Sequence, residues 1–523
     1  MTTSKGGVLL RLSDLHYWKR AALAFCLGLL LATSFAPLHF VFVLPVCFSG
    51  ALILLSTAKT RWQAFFIGWW FGWGQFMAGL YWIGVAFTID ANAHAALLPI
   101  PVMGLPAFLA IFPGLVALVT HYSGVKGVNR VFLFTALWVL ADYGRGIIFT
   151  GFPWNLTGYA WGNILPMLQW SAYVGIYGLT LLTVLISSIP ALLAEPEFPQ
   201  ARKNAAILSA CGLLAGMVVT GYVRLGNELL AAIPGSQIRI VQPNIRQADK
   251  WRPELKFSHV RTLTELSAQP GEAPPRYLVW PETAVPFFLT TDKNLQFYLQ
   301  RFIPASGALI TGAPRKNTEA KQYWNSIQVL DPDGKIPSIY DKQHLVPYGE
   351  YLPLQSFLKA SGLASLIPVL DQMSSFTAGT NSAGAELLVP GLPPARALIC
   401  YEIAFPWEVQ THSKTDWILN ATNDGWFGNT SGPFQHFIIA RTRAIEQGKS
   451  VVRAANTGIS AIIDGYGRVT DKLPLNSQGI LDGTIPKPLS GQTLYQRGGE
   501  YLPLGLVFLL TGLALFRHRQ NGI

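Results

Sequence analysis

The chain has 523 residues, of which 50% are hydrophobic and only 13% are charged. Because soluble chains carry about 25% charged residues, this composition excludes a fully soluble protein, a disordered chain and a disulfide scaffold, and it indicates a membrane protein. The net charge of +11 does not indicate a nucleic-acid partner, since the Lys and Arg residues mostly flank apolar runs, as topology signals do.

Eight apolar segments are candidates for membrane-spanning helices, which need about 20 apolar residues to cross a hydrocarbon layer of about 30 Å. Their approximate bounds are 21–35, 40–57, 64–83, 95–122, 131–152, 164–193, 205–224 and 501–516. We therefore predict an N-terminal membrane domain of about seven spans over residues 1–225, and a C-terminal span with a short tail over residues 501–523. A total of seven or nine spans remains an alternative.

Basic residues mark one side of this arrangement. Lys and Arg precede the first span, occupy the loops after the second, fourth and sixth spans, and follow the last span, whereas the loops 84–94 and 153–163 contain neither. By the positive-inside rule both termini are cytoplasmic. A cleaved signal peptide is the alternative at the N-terminus, but further spans follow at once and no small-residue cleavage site ends the first run.

The region 226–500 has ordinary polarity and short, strand-like apolar runs at 238–241, 277–280 and 308–311. Turn dipeptides separate other strand-like segments, at 333–334 and 464–465. These features predict one large α/β domain. The orientation above places this domain outside the cytoplasm, anchored by a span at each end.

Cys400 is the cysteine of this external domain, whereas Cys26, Cys47 and Cys211 fall in predicted spans. A thiol with no disulfide partner in an oxidising compartment is either buried as a packing residue or serves as a reactive group. No Cys/His cluster has metal-ligand spacing, and the glycine patterns of nucleotide sites are absent. We expect neither a metal nor a cofactor.

Three predicted strands end at residues that can share acyl-transfer chemistry, namely Glu282, Lys342 and Cys400. A cysteine needs a base or a positive field to attack at neutral pH. A glutamate can shuttle the thiol proton, and a lysine can stabilise the oxyanion of a tetrahedral intermediate. Taken singly, Glu282 also fits a surface acid, Lys342 fits a solvated partner of Asp341, and Cys400 fits a packing residue.

The segments around these residues resemble the Glu–Lys–Cys signature of the nitrilase, or carbon–nitrogen hydrolase, superfamily. They read WPET at 280–283, YDKQHLVPYGE at 340–350 and CYE at 400–402, with NDGWFG at 423–428 and RTRAIE at 441–446. The predicted spans, together with TGFPWN at 150–155, resemble the membrane-anchored apolipoprotein N-acyltransferase family. The resemblance covers essentially the whole chain.

This resemblance implies a polytopic helical membrane domain joined to an αββα nitrilase-like sandwich in the bacterial inner membrane, with the 226–500 domain in the periplasm. It implies a monomer that takes an acyl chain from a phospholipid, such as phosphatidylethanolamine, as a cysteine thioester. The acceptor would be the α-amino group of a diacylated apolipoprotein, in a ping-pong reaction. By position, Cys400 is the nucleophile, Glu282 the general base and acid, and Lys342 the oxyanion stabiliser.

The resemblance also implies supporting roles for Glu350 beside the lysine and for Tyr401 and Glu402 in the pocket, and places Trp251 at a lipid entrance. The backbone N–H of Tyr401, directly after the nucleophile, is a candidate for the second oxyanion donor. Several further substrate contacts are predicted from the residues themselves, by apolar character or by position near a span end; they are Phe287, Phe288, Leu366, Ile367 and Arg145. Leu366 and Ile367 lie in an apolar stretch that predicts either a membrane-dipping arm or a helix packed on the domain core. Arg145 fits either a phosphate contact or an intrahelical pair with Asp142.

Two other functions are compatible with parts of the sequence. A membrane-tethered amidase would use the same three residues with water as the acceptor. A transporter with an external binding domain would need polar residues within several spans, but the predicted spans hold few ionisable groups. The acyltransferase is therefore the leading hypothesis.

Overall fold

The computed structural model describes residues 9, 12–89, 95–227, 229–271, 273–351, 376–380, 386–410 and 414–520. For residues 517–520 it describes the backbone and not the side chains. The chain forms two compact units. The helical unit comprises Met1–Phe87, Ala96–Asn227 and Thr493–Ile523, and the sandwich unit comprises Thr88–Ala95 and Glu228–Gln492.

The N-terminal part of the helical unit contains helices at each of the seven apolar segments predicted there. They are α1 (Tyr17–Ala32), α2 (Val43–Leu55), α3 (Arg61–Leu80), α4 (Leu105–Leu109), α5 (Ile111–Tyr122), α6 (Gly127–Ile147), α7 (Leu165–Leu168), α8 (Ser171–Ser188) and α9 (Gln200–Leu225). Among the described residues, three continuous helical stretches are long and apolar enough to cross a membrane, namely Ala95–Tyr122, Ser171–Ala194 and Gln200–Leu225. The total of about eight spans therefore stays a prediction.

Glycines allow α1 and α3 to pack closely. A Cβ atom on Gly28 would lie 2.0 Å from the carbonyl oxygen of Phe71, and one on Gly74 would lie 2.2 Å from that of Phe25. Small residues at such positions let helix backbones approach and gain van der Waals contact where lipid removes the hydrophobic driving force. The two glycines thus explain why this pair of helices can pack backbone against backbone.

The sandwich unit contains two six-stranded sheets. The first has the order β12-β1-β2-β3-β4-β5 and the second the order β11-β10-β9-β8-β7-β6. The strands of the first sheet are β1 (Ala232–Gln242), β2 (Tyr277–Val279), β3 (Ala308–Asn317), β4 (Gln322–Leu330), β5 (Ser338–Asp341) and β12 (Gly479–Pro486). Those of the second are β6 (Glu386–Leu387), β7 (Ala395–Ile399), β8 (Trp417–Thr422), β9 (Ser450–Ala455), β10 (Ser460–Ile463) and β11 (Val469–Leu473). The predicted runs at 238–241, 277–280 and 308–311 fall on β1, β2 and β3.

The two sheets pack face to face, with helices on their outer faces. Ile240 of β1 and Leu419 of β8 belong to one buried cluster between the sheets. The next residue, Val241, faces the other way and packs with Leu263 of a helix, as the two-residue period of a strand requires. The α-helices among the described residues of this unit are α10 (Lys256–Ser267), α11 (Lys293–Gln300), α12 (Pro406–Val409) and α13 (Gly432–Gln447). The two-sheet α/β fold predicted for this region is confirmed.

The chain then returns to the helical unit through α14 (Leu494–Gly498) and α15 (Tyr501–Gln520). Helix α15 contains the eighth predicted apolar segment, 501–516. Its apolar part, Tyr501–Phe516, is shorter than the three long stretches above.

Candidate active site

The three predicted reactive residues all follow strands of the sandwich unit. Glu282 comes three residues after β2, Lys342 directly after β5, and Cys400 directly after β7. All three are buried. The strands hold the backbone in place at these points, while the side chains extend from the strand ends.

Lys342 lies between two carboxylates. Its Nζ is 2.9 Å from Oε1 and 2.8 Å from Oε2 of Glu350, and 3.9 Å from Oε1 of Glu282. Asn325 of β4 joins the two acids, since its Nδ2 donates to Glu282 at 2.7 Å and to Glu350 at 3.1 Å. Burial alone would lower the pKa of Lys342, but the charges of Glu350 and Glu282 outweigh it and raise the pKa above the usual lysine value. The lysine is therefore a permanent cation.

Cys400 has an unusual backbone conformation. Its φ is 51°, in the left-handed region that non-glycine residues seldom adopt, and it begins a single turn of 3-10 helix, Cys400–Ala404. Such conformations persist where the surrounding structure enforces them. His436 of α13 supports the turn, because its Nε2 lies 3.1 Å from the carbonyl oxygen of Cys400.

The thiol of Cys400 is protonated at neutral pH. Burial raises its pKa to about 12, and the charge of Glu282 adds to this effect, while Lys342 and a hydrogen bond with Thr422 oppose it. The positive field of the lysine is therefore too weak to produce a standing thiolate. Attack by the sulfur requires a base that removes the proton during the reaction.

A second buried charge cluster lies behind Cys400. Asp424 is 2.8 Å from Nδ1 of His436 and 2.8 Å from Nη2 of Arg453. Burial would raise the pKa of Asp424, but Arg453 and His436 lower it to about 2. The sulfur of Cys400, a ring nitrogen of His436 and an oxygen of Asp424 lie within 4.8 Å of one another, as metal ligands can. The guanidinium of Arg453 already supplies the cation for this carboxylate, so the donor set does not fit a metal ion well.

Glu402 joins two of the strand ends. Its carboxylate accepts hydrogen bonds from the backbone of Ile399 at 2.7 Å and of Gln343 at 2.7 Å, and from the hydroxyl of Tyr340 at 2.9 Å. It thereby ties the residue before Cys400 to the residue after Lys342. Tyr401 is buried, with its ring 5.0 Å from that of Phe405.

Lys250 is a site residue that the sequence analysis missed. It is buried, and its Nζ donates a hydrogen bond of 3.0 Å to the carbonyl oxygen of Glu282. Burial lowers the pKa of Lys250 to about 8, against the opposing charges of Glu282 and Cys400. In the sequence it is a lysine in a polar loop, and only its position next to Trp251 could have drawn attention to it.

Three aromatic side chains, two of them shortly after Glu282 in the chain and one next to Lys250, each have a lysine near the ring. Trp251 is partly exposed, and the Nζ of Lys256 lies 5.7 Å from the centre of its ring and 5.9 Å from that of Phe287. The Nζ of Lys316 lies 4.6 Å from the ring of Phe288. We call these three aromatic residues and two lysines the aromatic–basic cluster.

The remaining predicted contacts lie elsewhere. Leu366 and Ile367 fall outside the described residues. Arg145 belongs to the helical unit, where it is buried, lies 2.8 Å from Asp142 and donates to the carbonyl oxygen of Trp154 at 2.8 Å. The structure thus favours the intrahelical pair over the phosphate contact for this arginine.

Comparisons with known proteins cover nearly the whole chain. Residues 27–189 match the family model described as apolipoprotein N-acyltransferase N-terminal domain, and residues 237–495 match the one described as carbon-nitrogen hydrolase. A protein named apolipoprotein N-acyltransferase from Rhodopseudomonas palustris is 39% identical over 97% of this chain and 96% of its own. Proteins of the same name from Bradyrhizobium diazoefficiens and Brucella melitensis are each 38% identical, over 96% and 91% of this chain and 95% and 92% of their own.

Proposed function

Because this chain belongs to the apolipoprotein N-acyltransferase family and catalyses the N-acylation step of lipoprotein maturation, we propose that Cys400 carries the acyl chain as a thioester. The observation that supports this proposal most directly is the buried, protonated thiol beside the paired charges of Glu282, Lys342 and Glu350. A thiol in that state is inert until a neighbouring carboxylate removes its proton.

In the first half-reaction, the carboxylate of Glu282 takes the thiol proton and the sulfur attacks the ester carbonyl of a phospholipid. The carbonyl oxygen becomes an oxyanion, which the permanent ammonium of Lys342 stabilises. When the intermediate collapses, the ester C–O bond breaks, and protonated Glu282 gives its proton to the lysophospholipid alkoxide. The thioester remains on Cys400, and Glu282 is again ionised.

In the second half-reaction, the neutral α-amino group of a diacylated apolipoprotein attacks the thioester. Glu282 takes a proton from the amine nitrogen and delivers it to the departing sulfur, so that an amide forms and the thiol is restored. The two half-reactions use the same residues in turn, which is a ping-pong sequence with the phospholipid, for instance phosphatidylethanolamine, as first substrate.

Glu350, Tyr401 and Glu402 support these steps without reacting. Glu350 keeps Lys342 charged and in place through two contacts of 2.8–2.9 Å. Glu402 holds the Cys400 turn against the segment after Lys342. Glu350 and Glu402 thus keep the reacting groups at fixed positions, and the backbone N–H of Tyr401 is proposed as a second donor to the oxyanion.

We also propose that the aromatic–basic cluster, with Trp251, Phe287 and Phe288, receives the donor lipid, because aromatic rings and lysines suit the acyl–headgroup boundary of a phospholipid.

Residues 226–500 form the periplasmic catalytic domain, residues 1–225 and 501–523 anchor it in the inner membrane, and both termini are cytoplasmic. The basic loops along the sequence support this orientation, and the enzyme acts as a monomer.

Mass spectrometry of the intact protein tests the thioester. After incubation with phosphatidylethanolamine and no acceptor, the wild-type chain should gain the mass of one acyl group, and hydroxylamine should remove it. Cys400→Ser should show no hydroxylamine-labile adduct, whereas Cys211→Ser, a change on α9 outside the sandwich unit, should behave as wild type. A labile adduct on the Cys400→Ser protein would contradict the proposal.

A further inference from the structure

Lys250 is a buried cation that the mechanism above leaves unused. Only 3% of the residue is exposed, and its recorded hydrogen bond goes to a neutral acceptor, the carbonyl oxygen of Glu282. Among the residues that the structure describes, no carboxylate oxygen lies within 4.0 Å of its Nζ; the ion pairs of the site belong to Lys342. Because an unpaired buried charge is costly, this position calls for a functional explanation.

The charges of Glu282, Glu350, Lys342 and Cys400 balance only when Lys250 is added to these four groups. Glu282 and Glu350 contribute two negative charges, Lys342 contributes one positive charge, and the thiol of Cys400 is neutral at rest. Without Lys250, one negative charge would remain in a buried site. That charge would oppose the sulfide anion and the oxyanion that the reaction must form there.

The contacts of Lys342 make a second cation useful. Its ammonium is held by both oxygens of Glu350 and lies 3.9 Å from Glu282, so much of its field is already compensated. Lys250 contacts the backbone of Glu282 instead, and the charges of both Glu282 and Cys400 act on it. It therefore lies near the two groups between which the proton moves.

We infer that Lys250 is the second cation of the reaction centre: its ammonium holds the backbone of Glu282 and balances the negative charge as this moves from the carboxylate to the sulfur and the acyl oxygen. The inference rests on the proposed thioester at Cys400. Lys250 forms and breaks no covalent bond in this role, and it acts through Glu282 and the sulfur as a positioning residue.

A pH dependence follows from the burial of Lys250, which lowers its pKa to about 8. The protonated form is the active one, so acylation is retained below this pH and lost as the pH rises through it. Of the other groups that face the site, Cys400 and Lys342 do not titrate there, because the pKa of Cys400 is raised to about 12 and that of Lys342 is raised above its ordinary value. Neighbouring Asp249 is directed towards Arg252, at 3.5 Å.

The test measures the rate of acyl-enzyme formation from phosphatidylethanolamine in detergent micelles, without acceptor, between about pH 6.5 and about pH 9.5. In the wild type the rate should be constant up to about pH 8 and then fall by about tenfold per pH unit. Lys250→Met should be slower on the order of 10²-fold at neutral pH and should lack this decline. Lys250→Arg keeps a cation that does not titrate in this range, so its rate should stay constant to the highest pH.

The control is Lys335→Met, which removes an exposed lysine from the turn between β4 and β5 and should leave the wild-type profile unchanged. Each variant is compared as a monodisperse protein by size-exclusion chromatography. A Lys250→Met protein that acylates at the wild-type rate, or a Lys250→Arg protein that still declines above pH 8, would overturn the inference. A wild-type profile that is flat to the highest pH would overturn it without any variant. Absence of a labile adduct in the wild type would instead refute the thioester itself.

Discussion

Because the sulfur of Cys400 carries a proton, the proposed mechanism requires Glu282 to act as a base. Burial and the charge of Glu282 raise the pKa of this thiol to about 12, so in the proposed mechanism the reactive thiolate exists only while the carboxyl of Glu282 holds the proton. Asn325 donates a hydrogen bond of 2.7 Å to Oε1 of Glu282. A glutamine at position 282 could accept this bond but could not take a proton.

Glu282→Gln should therefore slow acyl-enzyme formation by roughly 10²–10⁴-fold at neutral pH. The substitution also removes a negative charge that raises the pKa of Cys400. Below about pH 8, where Lys250 keeps its proton and the wild-type rate should be constant, the residual rate of the variant should therefore increase with pH as more of the thiol ionises. Intact-protein mass spectrometry over a pH series measures both.

The matched control is Glu265→Gln, which changes an exposed glutamate of α10 that pairs with Arg261. It should leave the acylation rate and its pH profile unchanged. If Glu282→Gln acylated as fast as the control protein at neutral pH, another group would have to be the base.

At the scale of elements, strand ends explain why the site could be found in the sequence. A run of apolar residues that stops at a charged or nucleophilic residue is a local pattern, and the strands β2, β5 and β7 lie where those runs were predicted. Asp424 also follows a strand, β8, but its partners His436, within α13, and Arg453, within β9, have no such pattern and meet it only through tertiary packing. Lys250 was missed for the same reason.

The apolar stretch 352–370 lies outside the described residues, so its function is predicted from the sequence alone. As a membrane-dipping arm it would guide acyl chains, so Leu366→Ser and Ile367→Ser together should reduce acyl-enzyme formation from phosphatidylethanolamine while the protein still folds. Circular dichroism and thermal melting check the fold, and mass spectrometry checks the acylation.

Leu388→Ser is the control for this pair, since Leu388 is an exposed leucine beside β6. It should acylate as the wild type does. Unchanged acylation in the Leu366/Ile367 double variant would count against an arm. A large loss of thermal stability would favour the alternative of a helix packed on the core of its own domain.

On the scale of the whole molecule, composition and hydropathy predicted the division into apolar helices and an α/β region, because both are regional averages. The sheet order was beyond such reasoning. Strand β12 pairs with β1, so that Pro486 lies opposite Ala232, and no local signal links residues about 250 positions apart. Such strand pairings depend on which apolar faces can be buried against each other. That information becomes visible only in the folded chain.

The orientation in the membrane is a property of the whole chain, and surface labelling can test it. Lys335, in an exposed turn of the sandwich unit, and Lys59, an exposed residue between α2 and α3, are predicted to lie on opposite sides. In cells with a permeabilised outer membrane, a membrane-impermeant maleimide should label Lys335→Cys and should not label Lys59→Cys until the inner membrane is also opened. The wild-type chain gives the background from its native cysteines, and each variant must retain acylation to show that it is folded. Because loop charge determines orientation, removing the basic residues that precede the first predicted span, 21–35, should weaken this asymmetry. Labelling of the two positions in the reverse order would place the catalytic unit in the cytoplasm and refute the topology.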